Sequence, residues 1–303
     1  MANDYKLKQR FSYSDKKYAN RFNLNQDSRD NRRFIYKYMT IENFKLSIDF
    51  NGSKKTQTFF FVEPTKWPDK FEQRFYLADY DSLTPKPNAT DIPRVYACCF
   101  STSNNSDAAW YVYRNTQKGN EGLCVKLKLR RDKLCEQLCA YGQKRGNEFS
   151  VFDGCVDYDL DDSQIKFLHQ KERPYFNGSS IKIDHNPLYD LFFKDGINLD
   201  KYLNLMMIKR SMFDYEKEFR MFLVDNPAKK DKAKLPSRSK NIVAEVNWNE
   251  FLVSVEVDTG YSKAGFEELK EWCVSELKMN SSNFNWESHN NMKEDHIIIE
   301  PNK

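Results

Sequence analysis

From Met212 to Val224 this chain runs without glycine or proline, and aromatic and aliphatic residues surround the two glutamates of Tyr215-Glu216-Lys217-Glu218-Phe219-Arg220. A run of that kind predicts a strand. Side chains two apart on a strand share a face and stand about 7 Å apart. Glu216 and Glu218 are therefore expected to project together at one surface, with Phe219 and Met221 packed behind them. Two carboxylates at that spacing suit a reaction at a sugar carbon. One steadies a positively charged centre while the other handles an incoming group on the far side, as paired acids do in inverting glycoside cleavage at about 6.5–9.5 Å.

Two other stretches precede it, Arg33-Phe34-Ile35-Tyr36-Lys37-Tyr38 and Phe100-Ser101-Thr102-Ser103. The alternation over Arg33–Met39 predicts a strand, and Thr40 is placed to cap a helix reaching about Asp49. Further strands are expected at Thr58–Glu63, Arg94–Ser101, Gly122–Leu129, Val151–Leu160, 241–247 and 251–257, with a closing one at His296–Glu300. Helical patterns cover Asp132–Tyr141, about Leu199–Ser211 and Lys263–Met279, and a short helix carries Trp110 and Tyr113. Pro64 and Pro68 fix a loop. Strands outnumber helices and most connections are short, which implies an α+β domain around mixed or antiparallel sheets.

A length of 303 residues fits one large domain or two small ones, and 40% hydrophobic residues, 15% aromatic, provide a core. Residues 1–31 show no clean period and are expected to form a basic, weakly ordered arm, leaving 32–303 as a single domain. The net charge of +4 hides two basic segments. Residues 1–33 carry nine Lys/Arg against four Asp, and residues 226–240 carry six against one, a net of +5 in each. Such segments attract phosphate backbones, although charge runs are commonly just solvated. Seven cysteines, with Cys98 and Cys99 adjacent in an apolar run, indicate free thiols in a reducing compartment. With no apolar run of about 18 residues and a charged N-terminus, the expectation is a cytoplasmic protein with no membrane partner.

No metal site is expected. The run Asp157-Tyr158-Asp159-Leu160-Asp161-Asp162 starts like a calcium loop but has Asp162 where glycine belongs and Leu168 where the closing glutamate belongs. His169, His185, His289 and His296 include no pair at zinc-ligand spacing. Rossmann glycines, a phosphate-binding P-loop and a nucleophile elbow are all missing.

Ser-Thr-Ser at a strand end usually caps the next helix or turn, and Glu-x-Glu on a strand usually faces solvent. Their conjunction carries more. A strand with Tyr36-Lys37-Tyr38, a second ending in Phe100-Ser101-Thr102-Ser103 and a third with Glu216-Lys217-Glu218, in this order, resembles the three-part signature of ADP-ribosyltransferases. With Phe59-Phe60-Phe61, Pro64, Asp69-Lys70-Phe71-Glu72, Trp110-Tyr111-Val112-Tyr113 and Gly122-Leu123-Cys124, the chain is also similar, over about residues 33–280, to a widespread bacterial family of unknown function. Some relatives of this kind are toxins that ADP-ribosylate RNA in phage-defence toxin–antitoxin–chaperone systems.

The resemblance implies an ADP-ribosyltransferase-like fold, with mixed or antiparallel sheets packed as a split sandwich flanked by helices. It implies NAD as cofactor, nucleic acid (RNA above all) or protein as acceptor, and an antitoxin partner. Glu218 would bond the nicotinamide-ribose hydroxyl and steady the oxocarbenium ion, and Glu216 would orient or deprotonate the acceptor. Ser101 would position Glu218 and the ribose, with Thr102 and Ser103 in support. Tyr36, Lys37 and Tyr38 would lie at the cofactor, with Lys37 or Tyr38 on its phosphates or adenosine side and Arg33 as the substitute. Trp110 and Tyr113 would stack on a ring or pack the core. Two other readings are a non-catalytic binding module of the same fold and a metal-dependent nuclease using Glu216, Glu218 and the Asp157–Asp162 cluster.

Overall fold

The computed structural model describes residues 33–49, 56–68, 94–104, 124–146, 149–158, 209–225, 241–257 and 262–280, together with 13–14, 21–23, 72, 106, 109–110, 176–177, 180–181, 203, 206–207 and 283. In chain order the strands are β1 (Tyr13–Ser14), β2 (Arg21–Asn23), β3 (Phe34–Thr40), β4 (Thr58–Val62), β5 (Val95–Ser101), β6 (Cys124–Arg130), β7 (Phe149–Cys155), β8 (Phe176–Asn177), β9 (Ser180–Ile181), β10 (Glu218–Asp225), β11 (Asn241–Glu245) and β12 (Leu252–Val257). The α-helices are α1 (Ile41–Ile48), α2 (Arg131–Lys144), α3 (Trp248–Phe251) and α4 (Lys263–Leu277). The fold is mixed α+β, with an open and largely antiparallel sheet of eight strands along its main path, in which β2 and β7 pair in parallel.

The chain divides into two compact units. Unit 1 comprises Met1–Asp30, Phe61–Cys98 and Gly142–Ile242, and unit 2 comprises Asn31–Phe60, Cys99–Tyr141 and Val243–Lys303. The strands β1 and β2 fall within the segment expected as a weakly ordered arm.

In unit 2, β3 pairs with β6 antiparallel along its whole length, from Phe34 opposite Arg130 to Thr40 opposite Cys124. β6 pairs in turn with β12, with a register shift between Leu252 and Ser254. The alternation of side chains buries Ile35, Val125, Leu127, Leu129, Val255 and Val257. Thr40 ends the strand and starts the helix: its hydroxyl accepts from the Asn43 N–H at 3.3 Å, satisfying one of the donors a helix start leaves open. The core is strongly aromatic. Trp248 is fully buried, with Phe59, Phe251 and Phe44 at centroid distances of 5.2, 5.0 and 5.7 Å, and its indole N–H donates to the Thr58 carbonyl at 2.9 Å. α4 buries Phe266, Leu269, Cys273 and Leu277, an apolar stripe at helical spacing.

In unit 1, β10 lies antiparallel to β7, from Phe219 opposite Cys155 to Asp225 opposite Phe149. β2 flanks β7, and β5 lies beside β10 in the strand order. Every residue of β10 is buried. That position explains the near-continuous apolar run, and it also means that Glu218 and Arg220 sit inside the protein.

Two expectations change. The strand from Met212 to Val224 begins only at Glu218, and residues Ser211–Glu216 form a 3₁₀ turn. The reason is the partner: β7 ends at Cys155, opposite Phe219, so residues before Glu218 have no ladder to join. The strand expected over Val151–Leu160 likewise stops at Cys155. The Lys-rich segment 226–240 and the strand expected at His296–Glu300 lie outside the described residues, as do most of 1–31 and Leu199–Ser211. All seven cysteines are free of disulfides, five of them buried and Cys99 and Cys155 half-buried. Among the described residues no helix is long and apolar enough to cross a membrane.

Candidate functional site

Glu218 and Arg220 are two apart on β10, so they share a face, and Gly154, opposite Arg220 on β7, brings no side chain to that face. The guanidinium folds back onto its neighbour as a fork, Nε donating to Glu218 Oε1 and Nη2 to Glu218 Oε2, both at 2.8 Å. Nη2 also donates to Glu72 Oε2 at 3.0 Å, and Nη1 donates to the Met206 carbonyl. The Trp67 ring lies beneath the guanidinium carbon, 4.3 Å from it. Arg220 is wholly buried and fully engaged.

A second cation completes the cluster. Lys209 Nζ lies 2.5 Å from Glu216 Oε2, 3.1 Å from Glu218 Oε2 and 3.5 Å from Glu72 Oε1. The backbone aims it: Asp157 N–H donates to the Met207 carbonyl at 2.7 Å and Lys209 N–H to the Asp157 carbonyl at 3.0 Å. Tyr158, next in the chain, accepts the Glu218 N–H on its hydroxyl at 2.9 Å. Glu216 and Glu218 thus meet, though not as two neighbours on one strand. Lys217 between them has left-handed backbone, with φ at 43°, and its N–H donates to the Asp214 carbonyl at 3.1 Å. One ammonium then joins a carboxylate at the end of the turn to one at the start of the strand.

The two acids differ in access. The Glu216 side chain is 31% exposed and that of Glu218 6%. Met212 and Tyr215, 62% and 48% exposed, stand on the same turn as Glu216. Three carboxylates share two cations, so the cluster carries a surplus negative charge when all five groups are ionised. Burial raises the Glu216 carboxyl above its ordinary value; Lys209 pulls it down, while Glu218 and Glu72 add to the rise. Burial alone would lower the Lys209 ammonium, but the charges of Glu218, Glu72 and Glu216 outweigh it and hold its proton far into the alkaline range. The Tyr158 phenol is pushed up first by burial and stays neutral.

The raised Glu216 carboxyl has a measurable consequence. A carboxyl whose folded value is raised above its usual 4.5 favours folding fully below that pH and loses the contribution as pH rises through the folded value. The stability of the wild type relative to Glu216→Gln is therefore expected to decline as pH rises above 4.5. Urea denaturation of both proteins in steps from about pH 4.5 to about pH 8 measures it. A difference that grows with pH means that the Lys209 ion pair dominates instead.

The other sequence-predicted residues belong to unit 2. Lys37 donates from Nζ to the Cys99 carbonyl at 2.7 Å, with the Phe100 ring 5.5 Å away. Tyr36 and Tyr38 are buried, and Tyr38 meets Trp110 edge-on at 5.1 Å, which resolves Trp110 as packing against the core. Ser101 accepts the Ser103 N–H at 3.1 Å, a local turn; Thr102 and Ser103 are half-buried. Tyr113 lies outside the described residues. Among the described residues no three His, Cys, Asp or Glu side chains are grouped to hold a metal ion; Asp159, Asp161 and Asp162 lie outside them.

On sequence alone no role falls to Lys209, Arg220, Glu72, Tyr158 or Trp67. Arg220 was findable, because a buried strand bearing Glu218 needs a counter-charge and the residue two along shares its face. Glu72, 148 residues from Arg220, left no local signal. No protein family, no curated protein and no solved structure matched this chain.

Proposed function

We propose that this chain is an NAD-dependent ADP-ribosyltransferase with the split-sheet fold of that class. In this reading it acts on nucleic acid, RNA above all, as a bacterial toxin or phage-defence effector, and Glu216 is the acid that meets the substrate. The observation that carries the reading is the pair of acids joined by Lys209, one reachable and one held. NAD would supply the ADP-ribosyl group. Glu216 takes the proton of the incoming acceptor group, a role suited to a reachable carboxyl whose burial raises it above its ordinary value. Lys209 keeps Glu216 oriented, and Glu218, locked in the Arg220 fork, fixes Lys209 in turn. Exposed Met212 and Tyr215 give the acceptor a surface beside that acid. The motif order Tyr36-Lys37-Tyr38, Ser101-Thr102-Ser103, Glu216-Lys217-Glu218 supports the class.

A second reading is favoured by the saturation of Glu218. A buried carboxylate bound by both Arg220 and Lys209 also suits a non-catalytic binding module, in which the cluster only supports the fold. Incubation of the full chain with NAD labelled in its adenylate half, plus total RNA and total protein, separates the two. Nicotinamide release with label entering nuclease-sensitive material is the expected result. Label in protease-sensitive material moves the acceptor to protein, and no release with either acceptor leaves the binding module.

A further inference from the structure

The register of β3 against β6 sets Phe34 opposite Arg130, Tyr36 opposite Lys128 and Tyr38 opposite Lys126. Directly opposed residues share a sheet face, so an aromatic strand lies beside a basic one on unit 2. The Lys126 end of this face is committed to the fold. Lys126 is 3% exposed, paired with Glu256 and donating to the Asn104 carbonyl at 2.7 Å, while Tyr38 packs against Trp110.

The Phe34 end is different. Lys128 Nζ stands 4.4 Å and the Arg33 guanidinium 5.4 Å from the Phe34 ring centroid. Neither cation forms an ion pair among the described residues. Arg33 is exposed, and Phe34, Lys128 and Arg130 are half-buried. Arg130 reaches Asp132 only at 3.4 Å, between side chains 33% and 48% exposed, and its Nε has no acceptor among the described residues. An exposed pair of that length contributes little. Two cations therefore flank the Phe34 ring, and a third, Arg130, stands opposite Phe34 on β6 with one acid beside it. Residues 1–32, which precede Arg33 in the sequence, carry a net charge of +4.

We propose that this patch binds single-stranded nucleic acid, with phosphates on Arg33, Lys128 and Arg130 and a base against Phe34. Aromatic rings interleaved with cations recognise a flexible strand in this way, the rings stacking on any base and the cations tracking the backbone. An acidic peptide would use the cations and leave the ring without a role. The inference rests on the nucleic-acid half of the reading above and not on transfer chemistry, since binding needs no NAD.

The test is fluorescence anisotropy of the full chain with a fluorescein-labelled mixed-sequence RNA twelve-mer, the matching single-stranded DNA, and a labelled oligoglutamate, each over a salt series. The expected result is binding of RNA or DNA, weakened about tenfold in Arg33→Gln/Lys128→Gln, with the slope of log affinity against log salt reduced by about 1.4, or 0.7 per phosphate contact. Phe34→Leu weakens binding with the slope unchanged, and Lys128→Arg restores it. Melting temperatures within a few degrees of wild type verify folding, and Arg33→Gln alone, at an exposed position, remains informative if the double variant unfolds. Equal affinity and slope in wild type and the Arg33 variants, or preference for oligoglutamate, overturns the patch. Loss of RNA binding in Lys128→Gln with nicotinamide release from NAD alone retained supports the patch separately from the catalytic reading. RNA binding by a wild type that releases no nicotinamide removes only the transferase.

Discussion

Replacing Arg220 with leucine is expected to lower the free energy of unfolding by about 3–5 kcal/mol, the range found when one partner of a buried ion pair is removed. The cost lies in the groups left behind. Without the guanidinium, Glu218 loses both fork contacts, Glu72 loses its 3.0 Å donor, and the Met206 carbonyl loses Nη1. Lys209 would face three carboxylates alone, in a setting where water cannot replace the missing partner. Urea denaturation with an unchanged m-value measures the loss. The double variant Glu218→Leu/Arg220→Leu is expected to lose less than the sum of the two single changes, because it removes both members of the fork. A cost below about 1 kcal/mol for the single change is the signature of solvated charges and contradicts the burial of this network.

The strands of both units were legible where a residue pattern and a partner strand coincide. Phe34–Thr40, Thr58–Val62, Val95–Ser101 and Cys124–Arg130 fall within two residues of their expected bounds, and the Thr40 cap lies where its hydroxyl predicts. The error at Met212–Glu216 has a single cause. Phe213 and Tyr215 carry strand propensity, but a strand needs a neighbour to hydrogen-bond with, and nothing in residues 212–216 announces that β7 ends at Cys155. The same error misjudged the acids. Two residues on one strand would have equal access, whereas a turn ending in a left-handed lysine lets one carboxylate reach outward while the other enters the core. The division into two units was equally hidden, because each unit is assembled from segments far apart in sequence. The sequence did mark Glu216 and Glu218 as a pair that meets, while Arg220, two residues along, received no role.

Glu216→Gln is expected to cut nicotinamide release by about 10²- to 10³-fold, the scale on which one well-placed polar group acts in a transition state, with a small change in melting temperature. The amide keeps the shape of the side chain and can still accept from Lys209, but it can neither take a proton nor carry charge. At 31% exposure its ion pair contributes little to folding. Glu218→Gln should behave in the opposite sense. Its amide nitrogen turns a donor toward the Arg220 fork in either orientation, and toward Lys209 as well in one of them, so the wholly buried guanidinium loses an acceptor and the protein is destabilised. Activity then falls in step with the folded fraction and with the displacement of Lys209. Measuring kcat and melting temperature for both variants separates these roles, since a group that touches the reacting atoms changes the rate without the stability and a positioning group changes both. Full activity in Glu216→Gln, with loss in a stably folded Glu218→Gln, would return the direct role to Glu218 and require the Arg220 fork to open during turnover.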